Sequence, residues 1–178
     1  HKGFESPGGG IIYSEDGPTR PFANDASKFA LFGAAAAAWI DRLEQRPEVV
    51  HLHDWHAAFY LLLRQYAPHY GALRDITTVF TIHNPSYQGA RPLRGDESAL
   101  EAWFPGLEYL PEEIADPAHP DCINPMAMAI RLSDRISAVS PTNAEEICRP
   151  SDPAHGFVGS EGLEQLLVAA RVEHRLVG

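Results

Sequence analysis

The run Thr77-Thr78-Val79-Phe80-Thr81-Ile82 is built wholly of β-branched and aromatic residues, with no charged residue among them. A strand with one wet face would alternate apolar and polar side chains, so this run predicts a parallel strand covered on both faces. Val49 to His53 and Arg135 to Val139 have the same character. Between and around them lie segments of helix formers: Ala26 to about Arg46, ended by Pro47; His56 to Tyr66; Asn124 to Leu132; Asn143 to Cys148; and Glu161 to Glu173. Asp25 is placed to cap the first helix, and the alanine run Ala34 to Ala38 suits close packing against a sheet. Strands alternating with helices predict an α/β fold, a Rossmann-like doubly wound parallel sheet.

Two stretches stand outside that alternation. His1 to Ala23 is rich in Gly and Pro and reads as loop, with one short strand at Ile11 to Tyr13. Gly89 to Cys122 carries Pro92, Pro105, Pro111, Pro117, Pro120 and several acidic residues between two core strands, longer than an ordinary strand-to-helix connection. It is expected to be a lid, a binding surface or an interface. The 178 residues therefore read as a single domain, 1–178, with a loop insertion at 89–122. The chain starts at His1 without a methionine, and Arg175 to Gly178 resembles a strand cut off as it begins, so an excerpt of a longer protein is expected.

Charge narrows the function classes. The formal net charge is −10, and Lys and Arg are scattered without a run, which argues against a nucleic-acid partner. The most apolar helical stretch, Phe29 to Ile40, is too short to span a bilayer. Two cysteines, Cys122 and Cys148, with no C-x-x-C pair and no secretory leader near His1, read as reduced thiols of a cytoplasmic protein.

Polar residues follow each strand directly: His53-Asp54-Trp55-His56, then His83-Asn84-Pro85-Ser86-Tyr87-Gln88-Gly89, then Ser140-Pro141-Thr142. In an open parallel sheet, ligands bind outside the carboxyl ends of the strands, so these tips are the candidate site. The alternative is that the histidines and Asp54 only cap helices and satisfy loop backbone. His51, His53 and His56 form H-x-H-D-x-H, near a metallohydrolase signature, and alternate strand positions do point the same way. The aspartate is one position out of place for that signature, and His51 inside the strand is expected to be buried and neutral, so no metal is assigned. Ser140 before Pro141 suits a helix start better than a nucleophile, and there is no G-x-S-x-G elbow.

Three motifs together, V-V-H-L-H-D-W-H-A at Val49 to Ala57, V-F-T-I-H-N-P-S-Y-Q-G at Val79 to Gly89 and S-D-R-I-S-A-V-S-P-T-N-A-E-E-I at Ser133 to Ile147, resemble bacterial glycogen synthases and plant starch synthases in content, order and spacing. Asn24 to Phe32 and Glu161 to Gly178 extend the likeness over nearly the whole chain. The resemblance implies the N-terminal half of a GT-B glycosyltransferase, one that transfers glucose from ADP-glucose to the end of an α-1,4-glucan with retention and without a further cofactor. It also implies a C-terminal Rossmann domain of the same polypeptide as partner, and inactivity of this half alone. A non-catalytic carbohydrate-binding module on the same scaffold is the rival reading, and a metal-dependent hydrolase a more distant one.

By that resemblance His56 is the active-site histidine beside the transferred glucose, with Asp54 as its neighbouring acid, an orienter and helix cap rather than a nucleophile. His53, His83, Asn84, Tyr87 and Gln88 are the expected substrate-binding residues, Trp55 is expected in the core, and Trp103 is a weaker candidate for glucan contact. The family's K-x-G-G-L motif is absent, and Pro85, Ser86, Ala127, Asn143, Lys28 and the order Asn24-Asp25 depart from its pattern.

Overall fold

A computed structural model describes Tyr13, residues 16–107 and residues 111–178. The strand expected over Ile11 to Tyr13 lies outside the described residues, Tyr13 excepted. The strands are β1 (Val49–His53), β2 (Thr77–Ile82), β3 (Arg91–Pro92), β4 (Cys122–Ile123), β5 (Arg135–Ala138) and β6 (Leu176–Val177). The helices are α1 (Ala23–Asp41), α2 (Phe59–Tyr66), α3 (Leu100–Trp103), α4 (Pro125–Leu132), α5 (Pro141–Glu146) and α6 (Glu164–Val172), with short 3-10 turns between them. One parallel sheet runs in the order β1-β2-β5-β6, and β3 pairs with β4 as a small antiparallel ribbon inside the long insertion. The expected α/β architecture with a parallel sheet is present.

Local chemistry explains most element ends. Asn124 and Ser140 each cap a helix through their side chains, accepting from the N–H of Ala127 and Asn143, and each is followed by a proline at the first helical position. Helix α1 departs from expectation at both ends. It starts at Ala23, with Phe22 in the left-handed region (φ 61°), and Asp25 is not its cap but a buried residue of the first turn, 3.3 Å from Lys28 Nζ. Its first turn is served instead from across the loop, where Asp16 accepts from the Asn24 N–H at 3.0 Å and from Asn24 Nδ2 at 2.6 Å. The helix ends at Asp41, well before Pro47. Its close approach is to α2 rather than to the sheet, because a Cβ on Gly33 would sit 2.7 Å from Phe59 Cβ.

The core lies on one side of the sheet. Phe59, Tyr60, Leu61 and Leu62 of α2, Met126 to Ile130 of α4, and Leu167 and Ala170 of α6 are buried with Leu52, Phe80, Ile82 and Ile136 from the strands. The reading of Thr77 to Ile82 as covered on both faces holds for the carboxyl half of β2, where Thr81 is buried as well as Phe80 and Ile82, and fails elsewhere among the described residues. Leu52, Thr78, Phe80 and Ile136 point into the core, while on the other face Val49, His51, His53, Thr77 and Arg135 are exposed and Val79 is half-buried. The uninterrupted apolar run of β2 thus conceals a strand with two unlike faces. His51, expected to be buried, is one of the exposed residues.

At the amino ends of the strands a buried arginine closes the core. Arg64 donates to the carbonyls of Leu73, Arg74 and Ile76 and to Asp134, whose carboxylate also accepts from the Thr78 N–H and hydroxyl. That network leaves the carboxyl ends free to carry the polar tips. No helix among the described residues is long and apolar enough to cross a membrane.

Candidate functional site

The parallel ladder continues one residue past β1, the Asp54 N–H donating to the Thr81 carbonyl at 3.0 Å, and then the chain breaks sharply. Asp54 has φ 52° and ψ 179°, a conformation that glycine enters freely and that costs a residue with a Cβ on the order of 1–3 kcal/mol. The break lets Trp55 turn inward, where it is 2% exposed, and starts the 3-10 turn Trp55–Ala57 that carries His56. Asp54 does not cap that turn. Its Oδ1 instead accepts from the N–H groups of His83 (2.8 Å) and Asn84 (3.3 Å), so the side chain joins the tips of β1 and β2.

Beside this joint is a cavity of about 720 Å³ lined by Asp54, Trp55, His56, Asn84 and Tyr87, together with Tyr13, Asp16, Pro21, Phe22 and Asp25. The His56 ring is enclosed by aromatics, 4.5 Å from Phe29 in an edge contact, 4.3 Å from Trp55 and 5.4 Å from Tyr13 between centroids. Burial pushes its pKa below the ordinary 6.5, against a smaller upward pull from Asp54 and Asp25. At neutral pH the imidazole is therefore neutral and has one nitrogen to donate and one to accept. Asn84, which also lines the cavity, accepts at its Oδ1 from the Ser86 N–H at 3.0 Å, a local turn made by the Asn-Pro-Ser sequence. Tyr87 is 57% exposed, with its ring edge-on to Phe22 at 6.4 Å, and offers an aromatic rim.

The remaining expected residues lie elsewhere. His53 and His83 are not part of the cavity wall. His51 stacks on His53 at 4.2 Å, and His53 Nδ1 lies 3.0 Å from His83 Nε2 along the exposed sheet face. His51 Nε2 is 2.7 Å from Thr81 Oγ1, which in turn is 2.7 Å from Ser137 Oγ. Because the chain reverses at Asp54, His56 leaves this column for the cavity, and no group of three or more His, Cys, Asp or Glu side chains among the described residues is arranged to hold a metal ion.

Gln88 also faces away from the expected role. It donates to the carbonyls of Ser160 and Glu161 and accepts from Asn124 Nδ2 at 2.7 Å, while Asn124 donates as well to Asp116 of the insertion. The residue after it has to be glycine, since Gly89 has φ 72° and a Cβ there would collide with the Trp55 ring. Gln88 thus binds three loops together behind the site. Trp103 does not reach the cavity either: its Nε1 donates to Ser27 Oγ at 3.1 Å and its ring packs edge-on to Phe59. Ser140 is engaged as a helix cap, as its following proline predicts.

The insertion is pinned rather than loose. Arg91, 4% exposed, donates to Pro21 and Ser98 carbonyls, to Ser98 Oγ and to Asp96, and Arg20 meets the same Asp96 carboxylate. Hydrogen bonds from Ser98, then Arg20, hold that carboxyl far below the usual carboxylate range. A second cavity of about 510 Å³, lined by Glu112, Glu113, Asp116 and Arg131 among others, lies in the insertion. Its Arg131 is committed to the Glu113 and Ala115 carbonyls, and Asp116 to the Ala118 and His119 N–H groups and to Asn124.

Sequence reasoning did not find Tyr13, Asp16, Pro21 or Phe22 in the cavity wall. They stand in a Gly/Pro-rich stretch with no periodicity to mark them, whereas Asp25 had a signal in the Asn24-Asp25 motif and was read as a cap.

Three comparisons with known proteins bear on the family and fold of the chain. Residues 1–169 match the family described as the starch synthase catalytic domain. The glycogen synthase of Alkaliphilus metalliredigens is 37% identical over 146 residues, covering 81% of this chain and 28% of that protein. The glycogen synthase of Variovorax paradoxus is 35% identical over 158 residues, covering 85% of this chain and 29% of its own length. The catalytic domain of starch synthase IV from Arabidopsis thaliana, solved bound to ADP and acarbose, superposes with a TM-score of 0.67 at 23% identity, over 95% of this chain and 31% of that one. The chain therefore spans under a third of the length of these relatives, and the structural likeness carries the fold.

Proposed function

The chain belongs to the starch synthase catalytic domain family, and from that premise we propose that it is the acceptor-side, N-terminal Rossmann-like domain of a retaining glucosyltransferase that moves glucose from ADP-glucose to the non-reducing end of an α-1,4-glucan. The observation that carries this reading is the cavity at the carboxyl ends of β1 and β2, where His56, Asn84 and Tyr87 stand together. A neutral imidazole beside an amide donor suits sugar hydroxyls, and an exposed tyrosine ring suits the apolar face of a sugar.

The reaction breaks the bond between the anomeric carbon and the phosphate and forms a new bond to the acceptor hydroxyl. His56 hydrogen-bonds the transferred glucose and sets a fixed dipole beside the charge that develops at the anomeric carbon. Asp54 is a carboxylate of the cavity wall two residues from His56, and its Oδ1 is occupied by the His83 and Asn84 N–H groups. That engagement favours same-face attack assisted by the leaving phosphate over a covalent intermediate on Asp54. The opposite wall of the cleft and the contacts to the nucleotide are assigned to a second Rossmann domain of the same polypeptide, with no further cofactor. Closure of the two would keep water from the sugar-phosphate bond. Cys122 and Cys148 are both free thiols, in keeping with a cytoplasmic protein.

The test is transfer of labelled glucose from ADP-glucose, and separately from UDP-glucose, to maltoheptaose by the full-length protein. The expected result is transfer from ADP-glucose, lowered roughly 100-fold by His56→Ala in a variant whose circular dichroism shows it still folded. Equal turnover by the His56→Ala variant would refute the assignment.

A further inference from the structure

We infer that Asn124 is a positioning residue: its side-chain amide, behind the cavity, holds Gln88 in place and through it the Tyr87 ring that meets the sugar chain. This deepens the glucosyl-transfer reading of the same cavity and rests on it.

The inference starts from a buried amide. Asn124 is 0% exposed, and an asparagine side chain carries an acceptor oxygen and two N–H donors, each costly to bury without a partner. All are used. Oδ1 accepts from the Ala127 N–H at 2.9 Å and caps α4, while Nδ2 donates to Gln88 Oε1 and to Asp116 Oδ2, each at 2.7 Å. The direction of every bond is forced. A backbone N–H only donates, so the oxygen of Asn124 faces Ala127 and its nitrogen faces the other two. Gln88 in turn must present Oε1 to Asn124, because its Nε2 faces the carbonyls of Ser160 and Glu161. Capping alone asks for an oxygen, which serine or aspartate supplies equally well. Only the two donated bonds require the amide.

Gln88 is where the network reaches the cavity. Its backbone carbonyl accepts from the Met126 N–H at 3.3 Å, so backbone and side chain together tie it to the start of α4. On one side of it stands Tyr87 of the cavity wall, and on the other Gly89, seated against the Trp55 ring. Asp116 brings the long insertion to the same amide, its other oxygen engaged by the Ala118 and His119 N–H groups. With Gln88 held, Tyr87 is offered to a sugar in one place. With Gln88 released, the ring moves with its loop, and binding must first order it.

The test uses the full-length protein and three variants. Asn124→Ser and Asn124→Asp keep a capping oxygen and lose the amide donors. The pair Asn124→Asp with Asp116→Asn separates the two carboxylates and remakes the bond to the insertion from its other side, yet leaves Gln88 Oε1 without its donor, so it reads the link even where the single aspartate variant fails to fold. Two quantities are read: kcat and KM for glucose transfer to maltoheptaose, and native-state hydrogen exchange at the Met126 and Ala127 amides. Exchange at Ala127, the capped amide, should stay near wild type, while exchange at Met126, whose acceptor is the Gln88 carbonyl, should rise. KM for maltoheptaose should rise roughly tenfold, the scale of one lost hydrogen bond to a buried group. kcat should stay within about threefold of wild type, as when binding is weakened without loss of transition-state contacts. Wild-type KM in the paired variant would mean that Asn124 serves only the cap and the insertion, and would overturn the proposal. Unchanged exchange at Met126 in Asn124→Ser would overturn it as well, as would a folded Asn124→Ser protein that loses kcat and keeps KM. If the wild-type protein transfers no glucose, the functional reading fails by itself, and exchange at Met126 still decides whether the link to Gln88 exists.

Discussion

At the scale of single residues, the imidazole of His56 is held, among the described residues, by ring contacts rather than by hydrogen bonds. Three aromatic rings crowd it, and the groups that could hold a proton on it are Asp54 on its own strand tip, Asp25 from α1 and Asp16 across the cavity. Burial outweighs the pull of Asp54 and Asp25, so its folded pKa lies below that of the unfolded chain. The sign follows: the unfolded state takes up the proton first, and the stability present above pH 6.5 is lost as pH falls through the folded value. A titration of the His56 ring proton by NMR should give a midpoint below 6.5, lower still in Asp54→Asn, which keeps the hydrogen-bond acceptor but removes the charge. A midpoint above 6.5 would contradict the buried placement. His56, Asn84 and Tyr87 were legible in sequence because each follows a strand directly. The true partners of Asp54 and Gln88 were not, since a side chain's choice between its own helix start and a neighbouring tip depends on a backbone break that residue identity does not announce.

Among elements, β2 was readable to the residue, because its β-branched run has abrupt polar borders. What that run did not disclose was its unequal faces: threonine and valine serve equally well under a helix or in the open. Helix α1 was readable in its middle and misread at its ends, where the cap comes from Asp16, eight positions before the residue it serves and beyond any local pattern. The alanine-rich stretch does what small residues allow, but against α2, with Gly33 over Phe59. Replacing Gly33 with valine should force that pair apart and cost about 1–3 kcal/mol, as overpacking of a tight contact does. A thermal melt would register the loss as a lower Tm. No change in Tm would mean that α1 and α2 can slide without penalty.

For the whole molecule, the layout separates stability from chemistry. Arg64, Asp134 and Thr78 close the amino ends of the strands, while the carboxyl ends hold the strained aspartate, the aromatic-boxed histidine and the cavity. Parallel sheets put their ligands at that end, so the place of the candidate site was legible from the polar residues that follow each strand. Its far wall was not, because it includes residues from the aperiodic stretch around Tyr13 and Asp16. If a second Rossmann domain supplies the opposite wall, as proposed above, the cavity by itself should hold a glucan weakly and make no product. Residues 1–178 produced alone should therefore show no transfer of labelled glucose from ADP-glucose, with maltoheptaose binding detectable by NMR shifts at Asn84 and Tyr87. Turnover by this piece would require every reacting group to reside within it.

The contact between Trp55 and His56 has an optical consequence. An indole shut away from solvent, with its ring centroid 4.3 Å from an imidazole, is quenched when that imidazole gains a proton. With Trp39 and Trp103 changed to phenylalanine, the emission intensity of the remaining chromophore becomes a continuous readout of the charge on the neighbouring ring, obtained in a cuvette without isotope labels and sensitive to any sugar that shifts that equilibrium.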